Sequence, residues 1–168
     1  MKHLETERLI VREQTLDDLD DLAAILCDPE TMAYYPRAYT RREARGWIER
    51  QIRLYEERGF GLWALVAKHG GEFVGQCGLT PQQVDGKEEI EIGWHVMRPL
   101  WRRGYASEAA AACRDYGFST LGLGRLISLV SVANQPSAGV ARKIGMTPWK
   151  DIVRAGMPHT VFAISKGS

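Results

Sequence analysis

Residues 98–109 read RPLWRRGYASEA, and this stretch indicates both the fold and the kind of site to look for. It places Arg102, Arg103 and Gly104 directly before an alanine-rich run with helical spacing. The start of a helix ordinarily favours an acidic residue or a capping oxygen. The composition of this helix start is therefore unusual, and it requires a physical reason.

Anion binding supplies such a reason. A helix begins with unpaired N–H groups at the positive end of its dipole, and together these bind an anion such as phosphate. Gly104 and the small Ala106 let the backbone approach a pyrophosphate, while Arg102 and Arg103 add charge and donors. The first acidic residue is Glu108. Taken alone, the same residues also fit an ordinary helix start with solvated arginines.

Length and charge limit the possible classes of protein. The chain has 168 residues, of which 45% are hydrophobic, so we expect a single domain over residues 1–168. Lysine and arginine total 22 against 21 acidic residues, a net charge of +1. No overall field would therefore attract nucleic acid or an anionic membrane, and any anion must be held by a local site.

The cysteines and the apolar runs suggest a cellular location. Cys27, Cys77 and Cys113 are far apart and form no CxxC pair, so neither a disulfide framework nor a metal site is expected. The start of the chain lacks an apolar signal core, and no apolar run approaches the roughly 20 residues that span a bilayer. We expect a soluble, cytoplasmic protein with free thiols.

Strands and helices are predicted on both sides of the quoted stretch. Capping boxes at Thr15 with Asp18 and at Thr40 with Glu43 predict two helices after a first strand, and Gly59 ends the second helix. An antiparallel meander and a strand that ends at the quoted stretch follow. Beyond it we expect a helix, a strand, a second helix and a closing strand pair. The predicted segments read RLIVRE, FGLWALVAK, EFVGQCGLT, EIEIGWHVM, RLISLVSV, PSAGVARKIG, PWKDIV and HTVFAIS.

The order of these motifs resembles the GCN5-related N-acetyltransferases (GNAT), and most closely their RimJ and RimL subgroup. The resemblance covers nearly the whole chain and rests on LETERLIVREQTLDDLDDL, DPETMAYYP, EIEIGWHVM, LWRRGYASEA and NQPSAGVARKIGM. Trp101 in the fourth motif is typical of that subgroup. The resemblance implies an α/β fold with a mixed, mostly antiparallel, seven-stranded sheet, about four helices, and two central parallel strands that splay apart.

The same resemblance implies acetyl-coenzyme A (acetyl-CoA) as co-substrate. Its pyrophosphate would lie on the amides between Arg102 and Ser107, and its pantetheine arm along Val96 and Met97. A family asparagine matches Asn134, although an asparagine that forms a turn before a helix fits this position nearly as well. The implied cofactor-binding residues are Val96, Met97, Arg102, Arg103, Gly104, Tyr105, Ala106, Ser107, Asn134 and Lys143.

Acetyl transfer to an amine requires a base, a donor for the developing oxyanion and a proton for the departing thiolate. The position of Glu91 resembles that of the family glutamate that removes the ammonium proton. Glu89 and His95 are alternatives because residues two and four apart on a strand share a face. The oxyanion donor is expected to be a backbone N–H near Val96 or Met97.

The proton donor departs from the common family pattern. Many members have a tyrosine at the position that is Ala141 here, so Ser137 is the expected substitute near the sulfur. An ordinary serine at the start of a helix is an equally good interpretation of Ser137. Cys113 lies in the middle of a helix and is a poor nucleophile, so direct attack by the amine is expected.

The acceptor site is predicted in the aromatic-rich loop before the second helix. Tyr34 and Tyr35 are the candidate substrate-binding residues, with Tyr39 and Trp47 nearby, although Trp47 is better explained by packing. Trp63 and Trp94 lie in strands and are expected in the core. The sequence leaves open whether the acceptor is a peptide N-terminus or a small-molecule amine, and whether the protein is a monomer or a homodimer.

Two other functions compete with the enzyme. A non-catalytic module that binds or senses acyl-CoA would keep the anion site and lose the proton-transfer groups, and the missing tyrosine keeps this alternative open. A nucleotide-binding protein could use the same helix start, but the chain lacks the GxxxxGK[ST] pattern.

Overall fold

The computed structural model describes residues 2–167, and its centre is a sheet of eight strands in the order β1-β2-β3-β4-β5-β6-β8-β7. Neighbouring strands are antiparallel except β5 and β6, which are parallel. The strands are β1 Lys2–Glu5, β2 Leu9–Arg12, β3 Leu62–Ala67, β4 Phe73–Val84, β5 Lys87–Val96, β6 Arg125–Ser131, β7 Thr147–Arg154 and β8 Met157–Ser165. The predicted α/β fold with a mixed, mostly antiparallel sheet is confirmed.

Both predicted capping boxes are present among the four helices, and α2 ends at the predicted glycine. They are α1 Leu19–Leu26, α2 Arg41–Arg58, α3 Tyr105–Ser119 and α4 Gln135–Lys143. Thr15 caps a short 3-10 turn that leads into α1, and Thr40 forms the predicted box with Glu43 at the start of α2. Gly59 ends α2 in the left-handed conformation, with φ of 77°.

The strand count differs from the expectation of seven. The additional strand is β1, in which Leu4 pairs with Val11 and Glu5 with Ile10. Four residues without an alternating apolar pattern give no strand signal of their own, so this strand depends on its pairing with β2.

The two parallel strands separate soon after they meet, as the fold predicts. β5 and β6 pair through Glu91 and Ile127. Beyond that position the two strands are joined by hydrogen bonds that involve side chains instead of by backbone hydrogen bonds. The Ser128 hydroxyl donates to the Ile92 carbonyl at 2.8 Å, and the Leu129 N–H donates to the Glu91 carboxylate at 2.8 Å. The separation leaves a gap between the strands with Glu91 at its base.

Apolar packing holds α3 and α4 on one part of the sheet and α1 and α2 on another. The main buried cluster contains Trp63, Leu79 and Leu126, and a second contains Leu22 and Ile48. Within residues 2–167 no helix has the length and apolar character needed to cross a membrane.

Candidate active site

A groove of about 460 Å³ runs from the end of β5 and the start of α4 to the start of α3. Eight of the predicted cofactor-binding and catalytic residues line it, and so do the two predicted acceptor-site tyrosines. These residues are Val96, Arg102, Gly104, Tyr105, Ala106, Ser107, Asn134 and Ser137, with Tyr34 and Tyr35. The sequence prediction therefore falls largely on one continuous surface.

The start of α3 has the conformation that an anion site requires. Arg102 and Gly104 both have positive φ, 63° and 81°, and Gly104 is the N-cap. The first bond within the helix runs from the Glu108 N–H to the Gly104 carbonyl at 3.0 Å. The amides of residues 104–107 are thus left unused by the helix, next to the groove. This backbone can hold a phosphate group.

Arg8 contributes to this helix start, and sequence reasoning missed it. Its Nε atom donates to Glu108 at 3.2 Å, and Thr6 donates to the other oxygen of the same carboxylate at 3.0 Å. The Arg8 guanidinium also lies 4.2 Å from the centre of the Tyr105 ring. The negative charge of Glu108, in the first turn of α3, is therefore neutralised by Arg8. No local signal predicts a contact across about 100 residues of sequence.

Three predicted cofactor residues do not line the groove. Arg103 and Lys143 are exposed, with Lys143 at the C-terminal end of α4. The Met97 N–H donates to the Val74 carbonyl at 2.9 Å, so it is directed towards β4 rather than into the gap. Successive residues of a strand direct their N–H groups to opposite sides, which turns the Val96 N–H towards the gap. Val96 is therefore the better candidate for the oxyanion donor.

A second cavity of about 440 Å³ opens at the gap between β5 and β6, lies against β4 and α2, and meets the groove. Six residues line both spaces, and they mark the place where a bound acyl group and an amine could come together. They are Tyr34, Tyr35, Trp94, His95, Asn134 and Ser137. Trp94 was expected in the core and instead lines this junction, whereas Trp63 is fully buried as expected. We call the second space the acceptor cavity.

Glu91 lies in the wall of the acceptor cavity with both carboxylate oxygens bound. One oxygen accepts the Leu129 N–H, and the other accepts the amide of Gln82 at 3.1 Å. Burial raises the pKa of Glu91, while the Leu129 hydrogen bond, the charge of Arg154 and the Gln82 hydrogen bond oppose that rise. A carboxylate with a raised pKa is suited to accept a proton from an ammonium group.

Glu89, the alternative base, is engaged elsewhere. It is buried and forms an ion pair with Arg125 of β6, whose Nε atom lies 3.3 Å from a carboxylate oxygen. Glu89 lines neither the groove nor the acceptor cavity. The geometry therefore favours Glu91 over Glu89 as the base.

His95, the other alternative, is held in one neutral form by a hydrogen-bond chain. The Trp47 indole can only donate, and it donates to the Gln76 oxygen at 3.1 Å, which fixes the orientation of that amide. The Gln76 nitrogen must then donate to Nδ1 of His95, at 3.0 Å. The proton of His95 therefore resides on Nε2, which lies 2.7 Å from the Tyr35 hydroxyl. With its N–H directed at Tyr35 and its other nitrogen occupied, His95 is less suited than Glu91 to accept a proton.

We expect His95 to remain neutral down to pH 5. Removal from water lowers the pKa of His95 to about 4, because the charged ring loses its hydration. Nitrogen NMR shifts of the His95 ring should show a protonated Nε2 and a bare Nδ1 between pH 5 and pH 8. A titration midpoint above pH 6, or a proton on Nδ1, would contradict the assigned hydrogen-bond chain.

Ser137 stands at the junction with its hydroxyl proton available. The Trp94 indole donates to Ser137 Oγ at 3.3 Å, so the hydroxyl can donate to a third group. The Ser137 N–H donates to the Asn134 side chain at 3.1 Å, which makes Asn134 the N-cap of α4. Ala141, where many relatives have tyrosine, is fully buried. Asn134 thus has a local contact at the start of α4, as in the alternative interpretation of an asparagine that forms a turn before a helix.

The free amides at the start of α3 and the two parallel strands that separate beside a cavity are the features that the resemblance to the acetyltransferases predicts. The family model described as an acetyltransferase (GNAT) domain matches residues 8–147. The chain belongs to this family and is an N-acetyltransferase. The predicted family is confirmed.

Similar proteins agree with this assignment. The chain is 37% identical over 155 residues to an uncharacterized Bacillus subtilis protein, YkkB, with 90% of each chain covered. It is 35% identical over 140 residues to the uncharacterized N-acetyltransferase p20 of Bacillus licheniformis, covering 82% of this chain and 78% of that protein. The crystal structure of an acetyltransferase from Agrobacterium tumefaciens superposes with a TM-score of 0.86 at 29% identity, over 99% of this chain and 95% of the other.

Proposed function

We propose that this protein transfers the acetyl group of acetyl-CoA to a primary amine, either a peptide N-terminus or a small molecule, by direct attack. The observation that carries the proposal is the junction of the groove and the acceptor cavity. A helix start suited to phosphate lies at one end of this continuous space, and Glu91 lies beyond the junction. Acetyl-CoA would supply an acyl group activated as a thioester.

The groove residues fit acetyl-CoA in charge and shape. The free amides of residues 104–107 and the Arg102 side chain can hold the pyrophosphate, and the left-handed Gly104 brings the backbone close. The Val96 N–H faces the gap, where an extended arm can lie beside β5. We retain Met97, Arg103 and Lys143 as weaker candidates for cofactor contacts.

Each proton has a proposed place. Glu91 accepts a proton from the ammonium group, directly or through water, and the neutral nitrogen then forms its bond to the acyl carbon as the carbon–sulfur bond breaks. The acylated nitrogen loses its second proton to solvent to give the amide, and Glu91 returns its own proton to solvent. The Val96 N–H stabilises the negative charge that develops on the carbonyl oxygen. The Ser137 hydroxyl donates a hydrogen bond to the departing sulfur, which finally takes up a proton from solvent.

We further propose that the chain belongs to the RimJ and RimL subgroup. Trp101 supports this, since its indole donates to the Val96 carbonyl at 2.8 Å and links the helix start to β5. Ser137 at the junction, with Ala141 buried, supports it as well. Free thiols at Cys27, Cys77 and Cys113 are consistent with the proposed cytoplasmic location. Either a monomer or a homodimer is compatible with this site.

Isothermal titration with acetyl-CoA, followed by a thiol-release assay, tests this function. We expect micromolar binding and release of coenzyme A with some member of a panel of dipeptides and primary amines. An Arg102→Gln variant should weaken binding about tenfold because it removes a charged donor to the pyrophosphate. Arg53→Gln, an exposed position on α2 that does not line the groove, is the matched control. Binding without turnover would favour the acyl-CoA-sensing module, and absence of binding would refute the anion site.

A further inference from the structure

The acceptor cavity is unusually rich in arginine for a site that must receive an ammonium group. Arg37, Arg50 and Arg154 line it, and within the part of the chain that the structure describes Glu91 is the one carboxylate in its wall. A cavity built for a polycationic amine would present several carboxylates. The charges in this wall point instead to an acceptor that carries negative charge of its own.

The nearby carboxylates do not neutralise these arginines equally. Glu43 pairs with Arg37 at 2.7 Å, which accounts for one of the three. Glu88 is paired with Arg58 and Asp85 with Lys150, so neither is left for the remaining two. Within residues 2–167, Arg50 and Arg154 therefore form no ion pair, and the one carboxylate charge that Arg154 is shown to act on is that of Glu91.

The position of Arg154 relates it directly to the proposed base. Its guanidinium donates to the Gln82 oxygen at 3.1 Å, and the Gln82 nitrogen donates to Glu91 at 3.1 Å. The side chain of Gln82 therefore connects the Arg154 guanidinium to the Glu91 carboxylate. Arg50, on α2, and Arg154, at the end of β7, also line a further space of about 510 Å³ that continues outward past Gln82. Both arginines lie on the side of the cavity away from the cofactor groove.

We infer that the acceptor is an amine that also carries a carboxylate, either a free amino acid or a short peptide with an accessible carboxylate. Its amine would lie at Glu91, and its carboxylate would be bound by Arg154 and Arg50. Arginine suits this role because its planar donors match a carboxylate. This inference rests on the proposed function, whose transfer step it leaves unchanged.

A matched panel of acceptors tests the inference. Free amino acids, their carboxamides, and the corresponding amines without the carboxylate are compared by thiol release at saturating acetyl-CoA. We expect kcat/KM for the acid to exceed that for its amide by about tenfold or more, the effect of a charge-assisted bond. Arg154→Gln and Arg50→Gln should each reduce that ratio, by raising KM for the acid more than KM for its amide. Because Arg154 also holds Gln82 beside Glu91, the amide measured with the same variant is the reference for its effect on the base. Arg45→Gln, whose partner is Glu49 on the exposed side of α2, is the control.

The possible outcomes separate this inference from the proposed function. Equal or faster acetylation of the carboxamides or of the amines without the carboxylate, or an acid preference that survives both variants, would overturn the inference alone. Absence of acetyl-CoA binding would overturn the function. If acetyl-CoA binds and nothing in the panel is acetylated, the coenzyme A complex is titrated with N-acetyl amino acids. Binding that Arg154→Gln abolishes supports the inference, and absence of binding overturns it.

Discussion

Replacement of Glu91 by glutamine is expected to lower kcat/KM for the amine by at least about 100-fold, the usual contribution of a general base. Glutamine keeps the shape of the side chain and an oxygen for the Leu129 N–H, but it cannot accept the ammonium proton. Acetyl-CoA affinity should change by less than about threefold, because Glu91 lines the acceptor cavity and not the groove. Steady-state thiol release and isothermal titration measure the two effects.

The pH dependence of the wild-type enzyme should report the same carboxylate. Because burial raises the pKa of Glu91, kcat/KM should fall as the pH drops through a value above the ordinary glutamate range. The folded protein also holds this proton more tightly than the unfolded chain, so the charged carboxylate lowers stability above that pKa. Glu91→Gln removes this charge, and its thermal midpoint at pH 7.5 should equal or exceed that of the wild type.

Glu89→Gln serves as the matched control for this prediction. It removes one carboxylate two residues away and breaks the ion pair with Arg125, outside both cavities. We expect lower stability with turnover retained, the opposite of the expected result for Glu91→Gln. If Glu91→Gln kept more than half of the wild-type turnover, Glu91 would not be the base.

The sequence is most informative where function depends on local backbone. The capping residues Thr40 and Gly59 and the helix start at Gly104 act through their own or neighbouring amides, so nearby residues are enough to predict them. Glu91 was proposed as the base from its family position on β5, with Glu89 and His95 left as alternatives. Each of these predictions depends on one segment, and segments keep their local geometry when the chain folds.

The surroundings of the site depend on contacts between distant segments. Glu91 is held by Gln82 of β4 and Leu129 of β6, and Arg154 joins them from β7. The tautomer of His95 follows from Trp47 of α2 through a β4 glutamine. Such contacts depend on strand order and register, which no short pattern specifies. For the same reason the sequence could not choose between Glu91, Glu89 and His95.

Gly78 shows how a sequence feature gains its meaning from the fold. It lies in the middle of β4, opposite Leu62 of β3 and Gly93 of β5. Glycine inside a strand weakens the strand, so its presence there often marks a close approach by another backbone. The approaching group is the Gly61 carbonyl, which also accepts the Leu79 N–H at 3.0 Å. Leu62 and Gly93 in turn line the acceptor cavity.

Gly78→Ala is therefore expected to destabilise the fold by at least about 3 kcal/mol, at the upper end of the range for overpacked cores. A Cβ atom at this position would lie 2.0 Å from the Gly61 oxygen and 2.8 Å from the Leu62 Cα. Both are backbone atoms, so no side-chain rotation relieves the overlap, and β3 and β4 must separate at the centre of the sheet. Urea denaturation measures the loss, and acetylation should fall as the cavity wall shifts.

Gly46→Ala is the matched control, because the same added methyl group has a different environment. Gly46 lies within α2, and a Cβ atom built there meets no other atom within 4 Å. Alanine is the better helix former by about 1 kcal/mol, so this variant should be more stable than the wild type. If both variants had the same urea midpoint as the wild type, β3 and β4 would not approach as closely as the structure places them. Opposite shifts from one methyl group would establish that close approach.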